Sequence, residues 1–62
     1  MKNEIYKLIR VDKVLRRKIA DALDVEPETI YRQAINKSKN LEKPLVKEFI
    51  SKQLGIPLNE ME

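Results

Sequence analysis

Sixty-two residues make room for one domain, and the absence of cysteine and histidine removes disulfides, thiolate and imidazole metal sites and the commonest catalytic bases. Thirteen Lys and Arg against ten Asp and Glu leave a net charge of +3, modest for a nucleic-acid binder. No apolar run approaches the roughly 18 residues of a membrane span, and Met-Lys-Asn-Glu is no signal peptide, so residues 1–62 read as one domain without a membrane partner, expected in the cytoplasm.

Residues 3–10, NEIYKLIR, spell a first helix, because Ile5, Leu8 and Ile9 fall at i, i+3 and i+4 and share one stripe, with Tyr6 to one side. Val11-Asp12 is the break before the next helix, which starts between Asp12 and Leu15; the Asp12 carboxylate suits the cap. Val14, Leu15, Ile19 and Leu23 then make a continuous apolar face, with Arg16, Arg17 and Lys18 at or near its start. Arg17 and Asp21 are four apart and spaced to pair.

The stretch Arg16 to Lys37, RRKIADALDVEPETIYRQAINK, reads as two short helices around a tight turn. Ala20 is the small residue needed where two backbones approach, and Ile19, Leu23, Val25 and Ile30 fill the wedge between the helices. Asp24 sits where such a turn often requires a left-handed backbone, which aspartate tolerates better than most residues. Pro27 suits the first position of a helix running to Asn36 or Lys37, since its φ is already helical and its missing N–H would be unpaired there. Glu28, with Glu26 before it, brings negative charge to the positive end of that helix. Facing outward are Glu28, Thr29, Tyr31, Arg32 and, a turn on, Ile35 and Asn36, the polar surface that a helix reading base edges needs. The layout is that of a DNA-binding helix-turn-helix.

Ser38-Lys39-Asn40 reads as a polar loop, with Leu41 tucked into the core. Lys43-Pro44 opens a fourth helix, with Glu42 or Lys43 an indifferent cap, along which Leu45, Val46, Phe49, Ile50 and Leu54 repeat at helical spacing; Phe49 is expected in the core. Gly55 closes it as a left-handed cap, Ile56 folds back, and Pro57 to Glu62 form a last short turn. No β-type alternation persists and no segment repeats, so the chain is expected to be all-α, with four or five helices.

The chain resembles the small phage repressor and Cro-type (XRE, lambda-repressor-like) helix-turn-helix family. The resemblance rests on Ile19-Ala20, Leu23, Val25, Thr29-Ile30 and Arg32, and on the close Gln53-Leu54-Gly55-Ile56-Pro57-Leu58-Asn59-Glu60. It covers residues 5–60. Two positions depart from the pattern: Asp24 stands for the usual turn glycine, and Gln33 stands where an apolar or aromatic residue is usual, leaving Ala34 to take up the packing. The resemblance implies a compact lambda-repressor-like bundle and a sequence-specific, double-stranded DNA-binding transcriptional regulator, phage- or prophage-derived and of repressor/Cro type, with the helix at about 27–37 in the major groove. It also implies a phosphate contact at the start of the motif, at Arg16 and Arg17.

Charge is unevenly spread. Arg10, Lys13, Arg16, Arg17 and Lys18 precede the motif's turn with only Asp12 among them, and Arg32, Lys37, Lys39 and Lys43 follow with only Glu42. Arg16, Arg17, Lys37, Lys39 and Asn40 are candidates for phosphate, and Glu28, Thr29, Tyr31, Arg32 and Asn36 for base edges. The rival for each charge is a solvated face. Tyr31 has the rival of packing on a neighbouring helix, and Glu28 that of steadying the helix end. A homodimer is expected to use the last helix and the Leu58–Met61 tail, or to form only on DNA at a palindromic operator. The alternative function is a protein-interaction module on the same fold, antitoxin- or antirepressor-like, which Gln33, Glu26 and Glu28 favour. No cofactor is implied. An enzyme is not expected, since the paired carboxylates Asp21 and Asp24 fall on an exposed turn.

Overall fold

The structure, a computed structural model, describes residues 1–62 and contains five α-helices and no strand. They are α1 (Asn3–Val11), α2 (Lys13–Leu23), α3 (Pro27–Ile35), α4 (Pro44–Leu54) and α5 (Leu58–Met61), with a 3-10 turn at Lys39–Glu42 between α3 and α4. The chain is therefore an all-α bundle, with the last turn counted as a short fifth helix. The segment expected as a loop is partly this 3-10 turn, capped by Ser38, whose hydroxyl accepts from the Asn40 N–H at 3.2 Å.

Helix boundaries follow local chemistry. Asp12 closes α1 through its N–H to the Leu8 carbonyl, and its side chain accepts from the Leu15 N–H at 3.1 Å to cap α2. Pro27 and Pro44 each open a helix after an extended residue, where a missing N–H removes no intrahelical bond. Three helices end on a left-handed residue, Asp24 at φ 56°, Lys37 at φ 49° and Gly55 at φ 67°. Beyond each, an N–H returns to the helix: Val25 to Ala20 O at 2.9 Å, Ser38 to Gln33 O at 2.9 Å, and Ile56 to Ser51 O at 3.1 Å. Lys37 thus terminates α3 instead of extending it, so this helix is shorter than the expected 27–37.

The lysine is also the least suited of the three residues to its backbone. Lys37→Gly is expected to stabilise the fold by about 0.5 kcal/mol, the relief of the left-handed penalty less the greater entropy of an unfolded glycine. A thermal melt would show a midpoint a few degrees higher; a lower midpoint would mean that residue 37 does not hold this conformation.

Twelve residues are buried, all of them aliphatic, methionine or tyrosine: Ile5, Tyr6, Ile9, Leu15, Ile19, Ala20, Ile30, Ala34, Leu41, Val46, Ile50 and Met61. α3 packs on α1 and α2, and α4 packs on α2, the 3-10 turn and α5. The expected apolar faces prove too wide. Leu8, Leu23 and Val25 are more than a third exposed, Val14 is 64% exposed and Leu45 81% exposed. Val14 and Leu45 each lie about 100° around their helix from the buried residue that follows, and so small a core does not reach that flank. The wedge between α2 and α3 is accordingly Ile19, Ala20 and Ile30, with Leu23 and Val25 at its rim. Phe49 packs against the core only half-buried, as do Leu54 and Ile56. Arg17 and Asp21 do not pair: the ion pairs are Glu28 with Arg32, and a cluster of Met1, Glu42, Lys47 and Glu62.

That cluster joins the two ends of the chain. The Tyr6 hydroxyl donates to Glu42, the Met1 amino group lies 2.7 Å from the same carboxylate, and Lys47 pairs with Glu42 at 3.6 Å and with Glu62. Alongside, the Lys2 N–H donates to Met61 O at 2.6 Å. Tyr6 is therefore a core residue, and Glu42 its partner, where the sequence suggested a peripheral ring and an indifferent cap.

Candidate nucleic-acid interface

α3 has one face committed to the core and one left open. Ile30 and Ala34, four apart, are fully buried, and Gln33 beside them is half-buried. Ala34 therefore takes the packing position that Gln33 leaves. The buried Gln33 Oε1 has no hydrogen-bond partner. On the far side Glu28, Tyr31, Arg32 and Ile35 are exposed at i, i+3, i+4 and i+7, a single stripe along the helix. Asn36 is exposed just past its end, and its N–H closes the helix on Arg32 O at 3.0 Å. Thr29 is half-buried at the edge of the stripe. Of the five candidates for base edges, four are thus exposed on or beside the stripe and Thr29 is recessed.

Two contacts organise this face. Arg32 Nη2 lies 3.0 Å from Glu28 Oε1, with both side chains more than two-thirds exposed. The two charges cancel locally. The second contact comes from α2: the Arg16 guanidinium sits 5.1 Å from the centre of the Tyr31 ring, a cation–π distance. The same Arg16 Nη1 donates to Ile9 O at 3.1 Å and to Arg10 O, carbonyls near the end of α1. One half-buried side chain thereby ties together α1, α2 and α3. Arg16, Pro27, Glu28 and Tyr31 line a shallow groove at the start of α3.

The other phosphate candidates are placed differently. Arg17, Lys37 and Lys39 are exposed and take part in no ion pair, and Asn40 is exposed on the 3-10 turn. Sequence reasoning missed the internal role of Arg16. Its partners are backbone carbonyls six and seven residues earlier, across a helix break, and no side-chain pattern marks them.

A second groove lies on another side of the motif, lined by Leu23, Val25, Gln33, Asn40, Lys43 and Val46. No helix of the structure is long and apolar enough to cross a membrane. Compared with models of protein families, with characterised proteins and with solved structures, the chain has no match in any of the three.

Proposed function

We propose that this protein is a sequence-specific, double-stranded DNA-binding transcriptional regulator of repressor/Cro type, with α3 entering the major groove. The observation that carries the reading is the split character of α3. Its inner side, Ile30 and Ala34, is wholly buried, and its outer side presents Glu28, Tyr31, Arg32 and Asn36 to solvent. An α-helix fits a major groove about 12 Å wide, and these side chains carry the donors and acceptors that base edges match. Unpaired basic residues precede and follow α3 in the chain, Arg17 on α2 and Lys37 and Lys39 after the helix, and are assigned to phosphates with Asn40. Arg16 is assigned mainly to holding Tyr31 and the end of α1, with its remaining donors free for phosphate. The resemblance to the phage repressor and Cro-type family supports the same reading and its prophage setting.

Selection of bound duplexes from a random pool tests it, followed by affinity against salt for the winning site. A short enriched site with a steep salt dependence is the expected result, and two half-sites about 34 Å apart would signal a pair of chains on the DNA. On that site Arg32→Ala is expected to weaken binding by about 1–3 kcal/mol and relax the preference at one position, whereas Lys39→Ala weakens all sequences alike and lowers the salt slope by about 1. An unchanged preference in Arg32→Ala would remove that residue from base reading.

The second reading is the protein-interaction module. The specific observation favouring it is the groove of Leu23, Val25, Gln33 and Val46, with an unpartnered acceptor on Gln33. A pool that remains unenriched, with weak binding throughout, would shift the function to that surface.

A further inference from the structure

We infer that Glu28 is the discriminating residue of the exposed face of α3, and that Glu28 and Arg32 together read a cytosine and a guanine within two base steps of each other. The inference rests on the duplex-binding reading above. An exposed ion pair of this kind adds little to the fold, and the Glu28 carboxylate makes no other side-chain hydrogen bond or ion pair. Against a duplex, the Glu28 carboxylate is repelled by the nearby phosphates, which its exposed pairing with Arg32 offsets only in part, so it opposes binding wherever no base compensates it. The bases that compensate it are few. Thymine O4 and the guanine edge offer acceptors, which leave the carboxylate facing negative charge. Adenine N6 is a donor, but the N7 acceptor beside it opposes the second carboxylate oxygen; cytosine N4 has only a C–H as its neighbour.

Arg32 meets Glu28 through Nη2 at 3.0 Å, and its other guanidinium donors remain for guanine O6 and N7. Residues four apart in a helix are separated by about 6 Å along its axis, and successive bases by about 3.4 Å, so the pair spans two steps or fewer.

The test is parallel selection from one random duplex pool with the parent, Glu28→Ala and Glu28→Gln, together with affinity for unselected duplex and a circular-dichroism melt of each. Parent winners are expected to carry cytosine and guanine within two steps. Glu28→Ala is expected to keep the guanine, to lose about tenfold or more of its cytosine preference, and to bind unselected duplex several-fold more tightly. Glu28→Gln is expected to move the cytosine preference to adenine, whose N6 and N7 suit an amide. Cytosine preference retained in Glu28→Ala, or winners from the parent without the cytosine, would overturn this inference and leave duplex reading intact. A parent pool with no enrichment at all would remove the duplex reading and this inference with it.

Discussion

Ile30→Ala is expected to destabilise the protein by about 2–4 kcal/mol, enough to leave much of the chain unfolded at room temperature. Ile30 is fully buried on the inner side of α3, which packs on both α1 and α2. Truncation removes the transfer free energy of three carbons and leaves a hole that short helices pinned at both ends cannot readily close. A core of twelve buried residues in a chain of this size seldom supplies more than about 3–5 kcal/mol of net stability, so one such loss is most of the total. Urea unfolding followed by circular dichroism measures it, with Ile30→Val as the mild companion at about 1 kcal/mol. The reverse change at the facing helix has the same sign: Ala20→Leu pushes a side chain into a site with no exposure and is expected to lose about 1–3 kcal/mol. If both variants unfolded at the parent's urea midpoint, α3 would not be seated on α2 through these residues.

What was legible from the sequence was mostly what local chemistry decides. Asp12 as a cap, Pro27 and Pro44 as helix openers, and Asp24 and Gly55 as left-handed terminators each rest on one residue's backbone or side-chain preference. The exposed stripe of α3 was legible too, because a helix with Ile30 inside must turn residues 28, 31, 32 and 35 outward. The terminator at Lys37 was not, since lysine has no preference for that conformation and adopts it because the bond from Ser38 to Gln33 holds it there. Periodicity also overstated the core. It assigns a side of the helix, but whether Val14 or Leu45 is covered depends on which element lies against that flank, and none covers them. Arg16 lies on the expected helix, and its bonds to the Ile9 and Arg10 carbonyls across the break between α1 and α2 leave no mark in side-chain spacing. Tyr6 and Glu42, thirty-six positions apart, carry no mutual signal in the sequence at all.

That last pair yields the other large effect. Glu42→Ala is expected to destabilise the fold by about 1–3 kcal/mol, because it strands the buried Tyr6 hydroxyl and removes the carboxylate that faces the Met1 amino group and Lys47. Made in a Tyr6→Phe background, the same change is expected to have a smaller effect, since no hydroxyl remains to be stranded. The pH dependence has two limbs. Burial on its own would push the Glu42 carboxyl up, but hydrogen bonds from the Met1 amino group and Tyr6, with the charges of Met1 and Lys47, bring it below its ordinary value. A depressed carboxyl stabilises the fold above its unfolded value, so this contribution is lost as pH falls below about 4.5 and through the lower folded value. The Tyr6 phenol is pushed up from 10.0 to about 12, by burial first and then by the bond to Glu42 and the neighbouring carboxylates. A raised phenol stabilises the fold below its unfolded value, and that contribution is lost as pH rises from 10 toward about 12. Lys47, raised by its hydrogen bond to Glu62, loses its pairing over an overlapping alkaline range. Tyr6→Phe separates the two, because it should remove the phenol's share of the alkaline loss and leave that of the lysine. In a Tyr31→Phe background Tyr6 is the sole tyrosine, and its ultraviolet titration should rise well above pH 10 in the folded chain; a midpoint at the ordinary value would mean that the hydroxyl is not held by Glu42.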